Sequence, residues 1–453
     1  MTDDVFLYKN FSIAEDHTTV SFDYEIKKNG ITHTLQEILK FPVELSNSDA
    51  QQHSLRALHL ALGISYYKTF LPSTIQHPYT MGSTEVQFWN NIWANGLGEF
   101  LYVNKLSRDM LAEFSVQEGV SFESAHDEAP ARNGAILGIG GGKDSIVAGE
   151  LLKEIGVEVT GFVMATGEQL GQTKSVAKTM GVELLVVERF LDKQLLELQE
   201  KPGAYKGHIP ISLIFGLVGA ALAIATHNKY TVVANEASAS IPRIEWLGNA
   251  VNHQWSKSYE FEKELQKFII TEITPSVTYF SAVRSLTSVA IAKLFSSYEQ
   301  YFEVFTSDNY VFRIDPSSRP NGRWSLESPK SLSSFILLAP WLSEGSMWRI
   351  FGDDFLDQRS LEQLFLELLG KIGHPPLDCI GTVEELTLSI NLTSQQDKFT
   401  KSYLMDVARE KDIIKYTDYT PELDRMLRIQ TERAVPRIVD TVLVNILKEK
   451  LTI

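Results

Sequence analysis

The stretch Ala135–Ile155, AILGIGGGKDSIVAGELLKEI, constrains this chain more than any other. Ala135, Ile136 and Leu137 form a short apolar run, the buried end of a strand. Gly138–Gly142 is a loop of four glycines around Ile139. Ser145–Ile155 has helical spacing, with Val147, Leu151, Leu152 and Ile155 on one face. A strand that turns through glycines into a helix gathers backbone N–H groups and the positive helix end at one place, which makes an anion site and above all a phosphate site. Glycines suit such a loop because side chains would keep the backbone away from phosphate oxygens. Two familiar phosphate loops fail here. A Walker loop needs Gly where Leu137 stands, and Asp144 follows Lys143 where Ser or Thr belongs. A dinucleotide fingerprint starting at Gly138 meets Lys143 where its third glycine is required.

What remains, Gly140-Gly141-Gly142-Lys143-Asp144-Ser145, resembles the pyrophosphate loop (PP-loop) of the ATP pyrophosphatases, usually SGGKDS, with Gly140 in place of the Ser. The resemblance implies ATP split between its α and β phosphates and adenylation of a substrate oxygen. It assigns the ATP phosphates to Gly140, Gly141, Gly142, Lys143, Asp144 and Ser145. Lys143 and the loop N–H groups would neutralise the departing pyrophosphate. Asp144 would sit near Mg²⁺ or orient the loop. Lys143 is expected in a solvent-facing loop.

The 453 residues carry a formal charge of −15, and 44% are hydrophobic. That length allows two or three domains with ample core. The acidic balance argues against a protein whose main task is gripping nucleic acid. The single cysteine, Cys379, excludes a disulfide framework and a Cys-rich metal site. Met1-Thr2-Asp3-Asp4 is acidic, with no basic segment leading into an apolar run, so no signal peptide is expected. Ile209–Thr226 reads as a buried core helix rather than a membrane span. A cytoplasmic protein away from the membrane is expected. The oligomeric state stays open, with a homodimer as the candidate.

Along the chain, Thr18–Lys28 alternates strictly, with Val20, Phe22, Tyr24 and Ile26 on one side, and reads as a half-buried strand. Asn29-Gly30 is a hairpin turn and Ile31–Leu35 the return. From Asp49 the period becomes helical, and Phe88–Phe114 holds a further helical region. Gly119–Gly134, polar and aperiodic, is the expected domain boundary. Beyond it strands at Val157–Met164, Val182–Val187 and Tyr230–Ala234 alternate with helices at Gln172–Met180 and Ile209–Thr226. Such alternation predicts an α/β domain, a parallel sheet with helices on both faces, whose ligand sits beyond the carboxyl ends of the strands. The loops there are Gly138–Gly142, Ala165–Gly171 and Asn235–Ile241. The expected division is a small β plus helical N-terminal region (1–118), the ATP-binding α/β domain (134–345), which the loop's resemblance makes like an adenine nucleotide alpha hydrolase, and a helical C-terminal region (346–453).

Asn235-Glu236 follows a strand directly, and Asn252-His253-Gln254-Trp255-Ser256-Lys257-Ser258 comes shortly after. The run is dense in hydrogen-bonding groups and equally able to cap a helix over Tyr259–Phe268 through Ser258. With Gly96-Leu97-Gly98-Glu99-Phe100 and Asp378-Cys379-Ile380-Gly381-Thr382, these runs resemble the family of UDP-N-acetylmuramoyl-L-alanyl-L-glutamate epimerases over roughly Leu55 to Glu385. The resemblance implies an ATP- and Mg²⁺-dependent isomerase of peptidoglycan precursor synthesis that adenylates the terminal glutamate of a UDP-muramoyl dipeptide. It makes Lys143, Asp144, His253 and Lys257 the catalytic candidates. Asn235, Glu236, Asn252 and Trp255 would bind substrate, and Asp144 the metal. The proton-abstracting base stays open among His253, Lys257 and Glu236. Cys379 is either a thiol base or a small apolar residue.

One segment departs from the family. Trp324-Ser325-Leu326-Glu327-Ser328-Pro329-Lys330-Ser331 resembles a W-C-x-x-C-P-K-C segment, with Ser325, Ser328 and Ser331 at all three cysteine positions. Hydroxyls are poor zinc ligands where thiolates are strong ones, so no metal role is expected of it. Two other readings compete: an adenylating enzyme acting on a nucleobase or tRNA, and a non-catalytic nucleotide-binding protein. Formation of AMP with pyrophosphate separates adenylation from mere binding.

Overall fold

The computed structural model describes residues 4–116, 132–165, 170–313 and 318–452. Met1, Thr2, Asp3, most of the boundary expected at Gly119–Gly134, and 166–169 of the loop expected at Ala165–Gly171 lie outside them. The chain opens with a meander of β1 (Val5–Ile13), β2 (Thr19–Lys28) and β3 (Ile31–Lys40). Val20, Phe22, Tyr24 and Ile26 of β2 are fully buried, as their alternation requires. Asn29 and Gly30 take φ of 51° and 77°, the paired positive values of a tight hairpin turn. Then come α1 (Asp49–Tyr67), β4 (Thr74–Gln76), α2 (Ser83–Gly96) and α3 (Gly98–Val103). Ser48 caps α1, its hydroxyl accepting from the Gln51 N–H.

The alternating part follows as β5 (Arg132–Gly138), α4 (Lys143–Glu154), β6 (Glu158–Ala165), α5 (Gly171–Met180), β7 (Leu184–Phe190), α6 (Lys193–Gln199), α7 (Ile211–Ala225) and β8 (Asn228–Val233). A hairpin of β9 (Ile244–Trp246) and β10 (Asn249–Val251) leads to α8 (Tyr259–Phe268), one π-helical turn over Ile269–Ile273, β11 (Thr278–Ser281) and α9 (Ser288–Phe295). The C-terminal helices are α10 (Pro329–Leu338), α11 (Glu344–Phe351), α12 (Glu362–Leu368), α13 (Val383–Gln395), α14 (Tyr403–Glu410), α15 (Thr420–Leu427) and α16 (Arg437–Leu451).

Nine strands make one sheet in the order β11-β8-β5-β6-β7-β3-β2-β1-β4. From β11 to β7 every pairing is parallel. β3 then joins β7 antiparallel, Ile38–Lys40 against Phe190–Glu188, so the strands of 1–118 extend this sheet rather than form one of their own. The fold is mixed α/β, with a parallel half and a mostly antiparallel half. The expected boundary at 345/346 falls inside α11. Strand β5 shows why its apolar run is continuous. Ala135 and Leu137 enter a core with α4, α9 and α10, whereas Ile136 enters the opposite core with α1 and α7. A strand buried on both faces has no polar side to alternate with. Helix α7, apolar all round, lies within the second core, and no helix among the described residues is long and apolar enough to cross a membrane. Moving outward from β5, chain order runs through β6 and β7 on one side and through β8 and β11 on the other. The reversal between β5 and β8 opens a crevice beyond their carboxyl ends, where the two glycine- and amide-bearing loops emerge.

Candidate active site

The first loop is shaped by its glycines. Gly141 takes φ of +87°, a region open to glycine and strained for other residues. A Cβ on Gly142 would stand 3.2 Å from Ser307 Oγ and 3.5 Å from the Thr306 carbonyl. The Thr306 N–H donates to the Gly141 carbonyl at 3.0 Å, which ties the loop to the strap following α9. A Cβ on Gly140 would meet nothing within 4 Å, so the serine usual at this position would fit. Gly142 is the N-cap of α4 and offers no side chain to the first-turn N–H groups, which are left uncapped at the cavity that Gly142 and Ser145 line. Lys143 is the first residue of α4 and only 6% exposed, against the expectation of a solvent-facing loop. Its ammonium lies 2.7 Å from Asp144 Oδ1. Burial works against the charge, but Asp144 and Glu236 outweigh it and hold the Lys143 ammonium above its ordinary value. The Ser145 hydroxyl donates to the Gly142 carbonyl at 3.0 Å.

The second loop, after β8, is clamped from below. Arg284 is 1% exposed and donates from Nε to Glu262 Oε2 at 2.7 Å. Its other two nitrogens donate to the carbonyls of Glu236 and Lys257, each at 2.5 Å. One guanidinium thus fixes both site segments. Ser281 accepts from the Asn235 N–H at 2.9 Å and donates to its carbonyl at 2.7 Å, leaving Asn235 Nδ2 buried without a partner. The Glu236 carboxylate accepts from Ser238 at 2.6 Å and from the Ser288 hydroxyl. Asn252 donates to the Ala239 carbonyl at 2.7 Å and accepts from the Gln254 N–H at 2.9 Å.

Two cavities occupy the crevice. The larger, about 1460 Å³ including open solvent, runs from Gly138, Gly140, Gly142 and Ser145 to an apolar end made by Phe162, Val163, Met164, Leu170 and Phe215. The smaller, about 710 Å³ counted the same way, is lined largely by charged and polar residues, among them Lys143, Glu236, Arg243, Asn252, His253, Gln254, Asp378 and Cys379. Asp144, Ala234, Asn235, Lys257, Ser307 and Lys330 line both. Burial opposes the Lys330 charge, but Cys379, Asp378, Asp144 and Glu236 together keep it above its usual value. His253 goes the other way. Burial, with Arg243, His208, Lys257 and Lys330 adding like charge, lowers it to about 3, so its ring is neutral at neutral pH. Its Nε2 lies 2.6 Å from the Gln254 amide nitrogen, which makes Nε2 the acceptor and leaves Nδ1 buried and unpartnered.

Of the residues singled out from sequence, Gly140, Gly142, Lys143, Asp144, Ser145, Asn235, Glu236, Asn252, His253 and Lys257 line one cavity or both. Gly141 and Trp255 do not. Gly141 turns the loop backbone at its positive φ. The Trp255 ring packs on Phe261 at 5.5 Å and its N–H donates to Glu260, because Ser258 starts α8 and turns the indole into the core beneath it. Cys379, read also as an apolar filler, stands on the polar wall 3.1 Å from Lys257 Nζ. Sequence reasoning missed Arg243, Lys330, Ser307 and Arg284 as site components. Only Lys330 carried a signal, the Pro-Lys of the serine segment. In that segment Ser331 donates to the fully buried Asp308 carboxylate at 3.0 Å, the Ser325 N–H donates to the same oxygen at 2.8 Å, and Ser328 Oγ has no partner. Among the described residues no group of three or more His, Cys, Asp or Glu is arranged to hold a metal ion.

Two family models match the sequence, one described as the MurL N-terminal domain over residues 1–282 and one as the MurL C-terminal domain over 304–418. A UDP-N-acetyl-α-D-muramoyl-L-alanyl-L-glutamate epimerase of a Micromonospora species is 31% identical, over 87% of this chain and 88% of its own length. Proteins of the same name from Salinispora tropica and Xanthomonas oryzae pv. oryzae are each 30% identical, over 87% and 86% of this chain and 85% of their own lengths.

Proposed function

The chain belongs to the MurL family and is an epimerase of UDP-N-acetylmuramoyl-L-alanyl-L-glutamate, and we propose that it drives the inversion by adenylating the terminal glutamate with ATP. The observation that carries this reading is the pair of cavities sharing a wall of Asp144, Lys257 and Lys330 at the reversal between β5 and β8. One cavity has a glycine cradle, a helix N-terminus and an apolar end, which suits triphosphate and adenine. The other has the cations Arg243, Lys257 and Lys330, which suits an anionic dipeptide, and Lys143 stands beside the shared wall, 2.7 Å from Asp144 Oδ1.

The chemistry needs both. Removing the α-hydrogen beside a free carboxylate would build a second negative charge next to the first. Adenylation leaves an acyl group without that charge, and its carbonyl can delocalise the carbanion. The loop N–H groups and Lys143 take up the charge of the departing pyrophosphate. Lys257 and Lys330, facing both cavities, hold the substrate carboxylate at the α-phosphorus. Asp144 is the carboxylate available to Mg²⁺, and one carboxylate suffices for an ion that keeps most of its ligands as water and phosphate. The ion would screen the phosphates and orient the α-phosphorus. Hydrolysis of the adenylate then frees the epimer and AMP. The reaction belongs in the cytoplasm, where ATP and nucleotide-linked precursors meet.

The test is an incubation of the L-glutamate substrate with ATP and Mg²⁺ in D₂O. AMP and pyrophosphate should form, with solvent deuterium at the glutamate α-carbon. Lys143→Met should abolish AMP formation; the longer apolar chain fills the buried position that Lys143→Ala would leave empty. AMP without deuterium would point to an adenylating enzyme of another substrate, and no turnover of ATP to a binding protein.

A further inference from the structure

We propose that Cys379 moves the α-proton in this reaction and that Lys257 holds its sulfur in the working form; the proposal rests on the adenylation reading above. The cysteine is the only one in the chain. It rides on a segment that is pinned on every side. Arg243 donates to the carbonyls of Pro376 at 3.3 Å and Gly381 at 2.5 Å. Asp378 accepts from the Cys379 N–H at 2.8 Å and from Asn309 Nδ2 at 3.2 Å, and lies 3.9 Å from Lys330 Nζ. Gly381, at φ +74°, closes the turn where a Cβ would press on Ser288 and Glu385. A cysteine that merely filled space would face apolar neighbours. This one receives a donor from Lys257 Nζ at 3.1 Å and, while it carries its proton, can donate to the Gln254 side-chain oxygen.

Independent evidence that this wall expects a ligand comes from its neighbours. His253 and Asn235, 7% and 9% exposed, line the same cavity with Nδ1 and Nδ2 unpartnered. Buried polar atoms without partners are costly unless a ligand satisfies them.

The other candidates for the base fare worse in this geometry. Both Glu236 oxygens already accept hydroxyl donors. His253 is held neutral among cations, with its acceptor nitrogen taken by Gln254. Lys257 points its Nζ at the sulfur, 3.1 Å away, where it is placed to donate to it, and a thiolate is the nucleophilic and basic form of a cysteine. In the step, the Cα–H bond breaks and an S–H bond forms, and the electron pair passes into the activated acyl carbonyl as an enolate. Water delivers a proton to the opposite face. The thiol proton leaves through Lys257 to the hydroxide so formed, which restores thiolate, ammonium and water.

The experiment uses the full chain with Cys379→Ala, Lys257→Met and Lys257→Arg. Folded Cys379→Ala should still make AMP from ATP and substrate but lose deuterium incorporation by about a hundredfold or more, the usual contribution of a positioned acid–base group. Lys257→Met should slow iodoacetamide labelling of the single cysteine at neutral pH, read by mass, and Lys257→Arg should restore it. A merely structural lysine would leave labelling unchanged. Wild-type exchange in Cys379→Ala would overturn the proposal, as would loss of AMP formation together with exchange, or labelling indifferent to Lys257→Met. A wild-type enzyme that makes no AMP would refute the adenylation reading instead.

Discussion

Arg284→Met is expected to be among the most damaging single substitutions outside the cavities. Arg284 and Glu262 are 1% and 0% exposed, 2.7 Å apart. Without the guanidinium, Glu262 keeps only backbone donors, the Ser281 N–H at 3.0 Å and that of Ala434, and the carbonyls of Glu236 and Lys257 lose theirs. Breaking a buried pair costs about 3–5 kcal/mol, against a total stability of about 5–15 kcal/mol. Burial already raises the Glu262 carboxyl and Arg284 opposes that, so in the variant Glu262 takes up a proton. The penalty should therefore grow as pH rises. The second substitution, Glu262→Met, removes the stranded carboxylate, and apolar replacements of buried pairs are often neutral. The double variant should recover most of the loss. Urea unfolding of the wild type, both singles and the double variant closes the cycle. Since the clamp holds the Asn235–Glu236 and Lys257 segments, the recovered double variant should still show a raised KM. A cost below about 1 kcal/mol for Arg284→Met, the range of exposed pairs, or no recovery in the double variant, would refute this reasoning.

Gly141→Ala should lose roughly 1–2 kcal/mol from the left-handed backbone and weaken ATP use. Gly140→Ser should do neither, because the position opens on free space; thermal midpoints and the KM for ATP separate them. Chelators should leave the thermal midpoint unchanged, since Ser331 and the Ser325 N–H engage Asp308 as hydrogen-bond donors; stoichiometric zinc in the purified protein would contradict this. His59 is fully buried, 2.5 Å from the Tyr79 hydroxyl, and burial depresses it to about 4. A depressed group gives stability that is present above its unfolded value of 6.5 and lost as pH falls through the folded value. A gap of this size is worth about 3 kcal/mol. Urea midpoints should fall between pH 7 and pH 4, and His59→Gln should flatten that slope.

Much of the parallel half was legible because its signals are local. The β5–loop–α4 stretch states its strand, its turn and its helix within 21 residues, Ala135–Ile155. The Ser258 cap of α8 and the Asn29-Gly30 turn were equally local, and both occur where they were read. What the sequence hid depends on distance along the chain. Nothing in Ile31–Lys40 says that β3, paired with β2 on one edge, will take β7 some 150 residues later on the other, since edge pairing leaves no periodic mark. Strand β11 has four residues, too few for alternation to register. Trp255 misled because a run of hydrogen-bonding residues is also what a helix cap looks like, and the capping Ser258 decides which way each side chain turns.

The same reasoning explains why the site's electrostatics escaped the composition. A chain of net charge −15 builds a cavity lined by four cations, each brought from a different place: Lys143 from the start of α4, Arg243 from just before β9, Lys257 from the turn before α8 and Lys330 from α10. Their mutual repulsion is paid in part by Asp144, Glu236 and Asp378 on the same walls. That arrangement has a direction. A neutral ligand would leave the cations facing one another, whereas a carboxylate or diphosphate relieves them, so the cavity discriminates by charge before it does so by shape. It also couples the two chambers. On the adenylation proposed above, conversion of the substrate carboxylate to an uncharged acyl group would take an anionic partner from Lys257 and Lys330 on one side of the wall just as pyrophosphate gained charge on the other. Residues that line both cavities can follow that charge without moving far, which is what a transfer between adjacent sites requires.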